Sequence, residues 1–289
     1  MEIAPRYEGP VIVTIGGEGV GPAVGAACVR QRCRLQATLA RLDDGSWRAP
    51  SRCDGWTVQD VVAHLDGVNR FWHWSIASGL AGEPTRVLAG FDPKTTPAAM
   101  VDSARSKAPA PAETLAALAE SSEALCEQVA AIEADQWGMI AEAPAGHIAI
   151  TALVHHALWD CWIHERDIAL PLGLAPVEEP DEVTACLRFV AALGPVFTLQ
   201  RGRATPALLV VEATEPEARV VVEVADAAAG TGGVQVHDRP VDAAEVTYTL
   251  RGRAADLVEA LSIRAPLTQT VPDEHAWLVR SLAVAFEST

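Results

Sequence analysis

Four stretches of this chain, near residues 22–42, 57–79, 112–133 and 147–171, carry apolar side chains at the three-and-four spacing of helices buried along one face. Helices of that length hide their apolar stripes most simply against one another, which predicts a four-helix bundle. The second has a clear start signal. Thr57 is placed to cap it, and Asp60, three residues on, completes something close to a capping box. This register puts His64 on the apolar face with Val61, Leu65, Val68 and Phe71. An imidazole pointing inward needs a partner.

The fourth helix offers one. Asp160 and His164 lie four residues apart on a single face, within a polar stripe of His156, Asp160, His164 and Asp167 on a helix otherwise built from Leu153, Val154, Leu158, Trp159, Trp162 and Ile163. Two histidines and a carboxylate converging inside a bundle would bind a divalent metal and leave a position open. Zinc fits this set, and nickel, cobalt or iron bind it as well, so the identity of the metal stays open. The same spacing also allows a plainer outcome, since Asp60 with His64 and Asp160 with His164 could form intrahelical pairs. Asp167 is a candidate to orient His164. Arg70 and Arg166 each follow a candidate ligand within two turns, and would either hold an anionic group of a substrate or form surface ion pairs. His155 projects about 100° from His156 and away from the stripe. His73, His147, His237 and His275 read as structural or surface residues.

Other function classes are disfavoured. A net charge of −16 opposes broad attraction to nucleic acid or to an anionic membrane surface. No segment resembles a signal peptide and no apolar run reaches the roughly 20 residues needed to span a bilayer, so a cytoplasmic location is expected. The six cysteines have no paired or zinc-finger spacing and read as reduced thiols, mostly in the core. Cys161, beside Asp160, reads as packing rather than as a nucleophile. The run Val11–Ile15 precedes four glycines, but their spacing is not the dinucleotide fingerprint, and residues 1–21 are expected to form an arm. There is no G-x-S-x-G elbow, HExxH pair or phosphate-binding loop.

A polar, proline-bearing connection from Gly82 to Pro111 is long enough for a crossover or a lid. The bundle is expected over 22–176, ending at an acidic link from Pro176 to Pro180. Beyond it, a helix near 181–195, β-rich runs at 207–212, 218–225 and 245–250, and helices near 253–262 and 274–286 predict a smaller α+β domain over 181–289 with an antiparallel sheet.

The stretch from Trp47 through Cys53, Trp56 and Thr57 to His64 and Leu65, with Asp160-x-x-x-His164-x-Arg166-Asp167 about a hundred residues later, resembles the mycothiol-dependent maleylpyruvate isomerase family. That resemblance implies a DinB-like four-helix bundle followed by a domain similar to sterol carrier protein. It implies a metal held by His64, Asp160 and His164, with Asp160 standing where the family pattern has glutamate. It also implies mycothiol as a thiol cosubstrate acting on an electrophilic small molecule, by isomerisation or by S-transfer. Two alternatives accompany this reading: a metal-independent bundle that binds an apolar metabolite between aromatic walls such as Trp72, Trp74, Trp159 and Trp162, or one that catalyses a cyclisation or rearrangement. The sequence does not fix an oligomeric state.

Overall fold

The computed structural model describes residues 5–93, 95–225 and 232–283. Helices α1 (Val20–Leu39), α3 (Val58–Leu80), α5 (Pro111–Ala130) and α6 (Ile150–Ala169) pack into the bundle, joined by the shorter α2 (Asp44–Arg48) and α4 (Thr96–Ser106). The start of α3 is the capping box that the sequence suggests: Asp60 N donates to the Thr57 hydroxyl at 3.3 Å, and Thr57 N donates to Asp60 Oδ2 at 2.8 Å. Arg105 of α4 grips the same carboxylate at 2.7 and 2.8 Å, so the long connection is strapped across α3. Within the bundle the guanidinium of Arg32 is buried and donates to Asn69 Oδ1 at 2.9 Å and to Ala157 O at 3.1 Å. One residue of α1 therefore holds α3 and α6 in register.

A hairpin absent from the sequence reading, β2 (Ile140–Ala143) and β3 (Gly146–Ala149), precedes α6. Gly146 has φ +109°, and a Cβ there would lie 2.1 Å from the carbonyl oxygen of Arg6, whose backbone bridges to it. Only glycine lets the two segments meet that closely.

The C-terminal part holds α7 (Pro180–Gln200), β4 (Ala207–Thr214), β5 (Ala218–Val224), β6 (Val234–His237), β7 (Tyr248–Arg253), α8 (Ala254–Leu261) and α9 (Ala276–Val279). Its five-stranded sheet has the order β1-β6-β5-β4-β7, where β1 is Val13–Ile15. The centre is antiparallel, as expected, but both edges are parallel: β1 runs with β6, and β7 with β4. The sheet is therefore mixed. The segment read as an arm supplies an edge strand to it, and its three residues are too few to show a strand period. The last predicted helix shortens to α9, and positions 284–286 lie outside the described residues.

One helix among the described residues, α7, is long and apolar enough to cross a membrane, which corrects the expectation that no run reaches that length. The physical reason is burial: 89% of its apolar window is covered, by α6 and α1 on the bundle side and by the sheet, α8 and α9 on the other. A helix that is apolar all round is a core helix when it is enclosed in this way. The largest core cluster runs without a break from Trp72 and Leu153 through α7 to Val222 and Leu250, so bundle and sheet share one interior.

Candidate metal centre

α3 and α6 cross with His64, Asp160 and His164 facing one another. Nε2 of His64 lies 3.9 Å from Asp160 Oδ1, and Nε2 of His164 lies 3.7 Å from the same oxygen. The two imidazoles meet edge to face with centroids 5.0 Å apart, and one donor atom from each residue falls within 4.8 Å of the others. Both carboxylate contacts are longer than a hydrogen bond. Of the intrahelical pairs that the spacing allowed, Asp60–His64 is not formed, since Asp60 is spent on its cap and on Arg105, whereas Asp160 and His164 face one another as a loose ion pair at 3.7 Å, too long for a hydrogen bond. His64 Nδ1 and Asp160 Oδ2 are buried without a hydrogen-bond partner. Buried polar atoms are seldom left so. Tetrahedral bonds of about 2.0–2.2 Å place donor atoms roughly 3.4 Å apart, so a small contraction of this triad would fit a divalent ion.

The far side of His164 is as fully bonded as the near side is bare. Nδ1 lies 3.0 Å from Asp167 Oδ2, which fixes the ring with Nε2 toward Asp160. One turn along the same helix, a demanding geometry on paper, is reached because Asp167 is completely buried and pinned from three other directions. Arg264 forms a fork on it at 2.9 and 2.8 Å, Arg52 Nε donates at 3.0 Å, and the Cys53 thiol donates at 3.2 Å. Burial alone raises the pKa of Asp167, but His164 and Arg264 outweigh it and hold the carboxyl far below the usual range. Burial depresses His164, yet Asp167, Cys53 and Asp160 together lift it to about 10. Asp160 is likewise kept ionised: burial raises it, and the imidazoles of His64, His164 and His156 bring it well below the ordinary carboxylate value.

The structure does not bring every candidate residue to this point. Arg70 is half-exposed on the outer side of α3 and paired with Asp66 and Glu120, both at 3.0 Å. It is a surface ion pair, because position 70 lies about 120° around the helix from His64, whose register is core-facing. Arg166 is buried, but its charge is taken by Glu259 at 2.5 Å and Glu178 at 3.1 Å, and it lies over the ring of Trp162 at 4.7 Å. It joins bundle to C-terminal part rather than facing the triad. Trp74 is 46% exposed and forms no wall of the site, and Trp162 is a core residue. Cys161 is buried and its thiol pKa is pushed up to about 12 by burial, in keeping with a packing role. His155 Nδ1 donates to Thr151 O at 2.8 Å within its own helix.

Residues that the sequence reading passed over are Arg52, Cys53, Glu259 and Arg264. Arg52 and Cys53 stand in the turn just before α3, within the quoted motif, and their proximity to His164 could have been suspected. Arg264 and Glu259 arrive from a segment nearly a hundred residues downstream of His164, and no spacing rule connects them.

Residues 28–169 match the family model described as the mycothiol maleylpyruvate isomerase N-terminal domain. The bundle belongs to the mycothiol maleylpyruvate isomerase family. It is a family of enzymes. The fold of nearly the whole chain is similar to that of a crystal structure of the mycothiol-dependent maleylpyruvate isomerase, with TM-score 0.57, 16% identity, 88% of this chain covered and 95% of that one. A histidine-to-alanine mutant of that isomerase gives TM-score 0.58 and 15% identity over the same shares of the two chains. No curated protein sequence matches the chain. At these identities the two structures speak for the fold, while membership of the family rests on the bundle, where the triad of His64, Asp160 and His164 is also found.

Proposed function

We propose that this chain is a metal-dependent isomerase that uses mycothiol, or a closely related low-molecular-weight thiol, on an electrophilic small molecule with a conjugated carbonyl group. The observation that carries the reading is the triad: two buried imidazoles and a partly buried carboxylate converge within 4.8 Å, with no hydrogen bond among them. His64 and His164 would hold a divalent ion through their imidazoles and Asp160 through its carboxylate. When bound, such an ion lowers the pKa of a coordinating thiol, so that a thiolate is available near neutral pH.

The chain's own residues have defined tasks in this scheme. Asp167 holds His164 in one orientation, and Arg264 and Arg52 keep Asp167 in place. Asp160 stays ionised and carries the charge that balances a cation. Exclusion of water falls to Trp56, which packs against His64 with centroids 5.4 Å apart, and to the apolar residues around it. The thiolate adds to the conjugated double bond, forming a C–S bond as the π pair moves to the carbonyl oxygen. Rotation about the resulting single bond and return of that pair expel the thiolate and leave the isomer. Arrest after addition would give S-transfer instead, and family membership supports the isomerase. The six free cysteines fit a reducing compartment, and we place the enzyme in the cytoplasm, with a small substrate and a thiol as its partners.

Elemental analysis of freshly purified protein, paired with a thiol-dependence assay, tests this. The expected result is about one equivalent of metal in the wild type, lost with thiol-dependent turnover in both His64→Ala and His164→Ala. Retention of metal and turnover by either variant overturns the ligand assignment.

A further inference from the structure

The two faces of the five-stranded sheet are covered differently. Leu209, Val211, Val220, Val222 and Leu250 belong to the interior shared with the bundle, whereas Leu208, Val210 and Val221 form a separate cluster on the outer face. β6 and β7 follow one another in the chain but have two strands between them, so their connection must cross the sheet. It crosses on the outer face, where its Val241 and Val246 pack on Leu208, Val210 and Val221. The crossing covers only part of that face. Beside it a cavity of about 390 Å³ stays open, between the connection and strands β4, β5 and β7.

The strand register lines this cavity with charge. Glu212 of β4 stands opposite Arg219 of β5 on one side and Arg251 of β7 on the other, and all three side chains line the cavity. Neighbouring strands are about 4.8 Å apart, so the row sets a positive, a negative and a positive group within roughly 10 Å. Glu212 is the one carboxylate among the lining residues, which leaves a local excess of one positive charge in a chain of net charge −16. Arg251 Nε meets Glu212 at 2.9 Å, but the pair is 63% and 46% exposed, and such a pair is weak enough to yield to a competing anion. Arg219 is half-buried and has no carboxylate partner among the described residues. One of its Nη atoms donates to Arg239 O at 3.2 Å, and the rest of its fork is unspent. The next row along the strands, Val221, Val210 and Thr249, is mostly apolar.

We infer that this cavity binds a small monocarboxylate with an apolar body, its carboxylate on the unspent donors of Arg219 and its body against Val210, Val241 and Val246. A planar guanidinium fork matches a carboxylate in shape as well as in charge. The valines favour an acid that carries hydrocarbon over a bare ion, because only the hydrocarbon gains by covering them. The volume lies within the range of roughly 300–1,000 Å³ usual for small-molecule sites. Glu212 repels a second negative charge beside the first, which selects against dicarboxylates. The site is separate from the metal centre, since the sheet stands between the cavity and the interior that α6 and α7 share. It therefore does not depend on the proposed reaction.

The probe is 3-phenylpropionate, titrated into the full chain by calorimetry at low salt. Its uncharged likeness 3-phenylpropanamide and acetate, which has the charge without the body, serve as comparison ligands. The expected result is binding of 3-phenylpropionate at least tenfold tighter than of either comparison ligand, weakened as salt is raised. Arg219→Gln is expected to lose at least tenfold in affinity, and Arg219→Lys, which keeps the charge but not the fork, to lose less. Glu212→Gln releases Arg251 and should bind the probe several-fold more tightly than wild type. His64→Ala should bind it as wild type does. Absence of binding in the wild type, equal affinity for the amide, or wild-type affinity in Arg219→Gln overturns the site. Loss of binding in His64→Ala would put the probe at the metal centre and overturn it as well.

Discussion

Glu142 and Asp160 are both carboxylates drawn out of bulk water, and the protein treats them in opposite ways. Glu142, in the β2 strand, is saturated: Oε1 accepts from the Tyr7 hydroxyl at 2.7 Å and Leu88 N at 2.8 Å, and Oε2 from the Thr85 hydroxyl at 2.5 Å and Val87 N at 3.0 Å. Four donors from two distant segments converge on it and pin the N-terminal arm and the long connection to the hairpin. Asp160, inside the bundle, has no hydrogen bond from any described residue, and one of its oxygens has no partner at all. A carboxylate that holds a fold together is surrounded by donors, whereas one kept for a ligand is left short of them at a cost in stability. Asp167 shows that the bundle can saturate a buried acid two turns away on the same helix. The bareness of Asp160 is therefore a property of its site and not of α6.

The largest effect expected from this contrast is on stability. Glu142→Ala strands four donors that had a charged acceptor, and should cost about 3 kcal/mol or more in chemical denaturation. Asp160→Ala in metal-free protein should cost clearly less than Glu142→Ala, because it loses only the attraction of the nearby imidazoles and no hydrogen bond. Equal losses for the two variants would break the comparison. The next effect is on pH dependence. His164 in the metal-free protein is held up to about 10 against an ordinary value of 6.5, so its interactions stabilise the fold fully below pH 6.5. That contribution is lost as pH rises from 6.5 toward 10. Denaturation midpoints of metal-free protein should fall across this window, and the slope should flatten in His164→Gln or when a metal displaces the proton.

How far the sequence foretold this site differs between its two sides. The triad was legible because each member lies on a helix whose register is fixed by strong periodicity, and α3 carries its own capping box as a marker. The saturated side of His164 was only half legible. Asp167 shares its helix, and Cys53 shares the motif, but Arg264 reaches the site through a tertiary contact that no local pattern encodes. Arg264 follows Ile263, which has φ +56°, an uncommon conformation for a β-branched residue, and the turn lets Ser262 bond Trp159 while Arg264 bonds Asp167. Nothing in the string Leu261–Arg264 announces such a turn. The sheet edge is a similar case, since three residues of β1 join a partner more than two hundred positions away.

If the saturated side exists to orient His164, weakening it should act on the bare side. Asp167→Asn keeps the shape, loses the charge, and leaves Arg264 and Arg52 facing an amide. Metal affinity is expected to fall by about 10–100-fold, the usual consequence of altering a group that orients a ligand, measured by competition with a chromophoric chelator. An unchanged affinity would mean that the ring of His164 is held by packing alone.

The smallest effect should come from restoring the residue that the family pattern places at position 160. Glutamate is one methylene longer, and Asp160 Oδ1 stands 3.7 and 3.9 Å from the two imidazole nitrogens, slightly farther than donors around one metal need to be. The side chain is 14% exposed and its second oxygen meets no hydrogen-bond partner, so the added methylene has room to move. Asp160→Glu should therefore retain metal with affinity within about tenfold of wild type, while the nearly isosteric Asp160→Asn, which removes the charge balancing the cation, should lose far more. Loss of metal in Asp160→Glu, with the fold intact by circular dichroism, would mean that α3 and α6 have closed around the shorter side chain. The triad would then be a site rebuilt for aspartate, not a glutamate site that tolerates it.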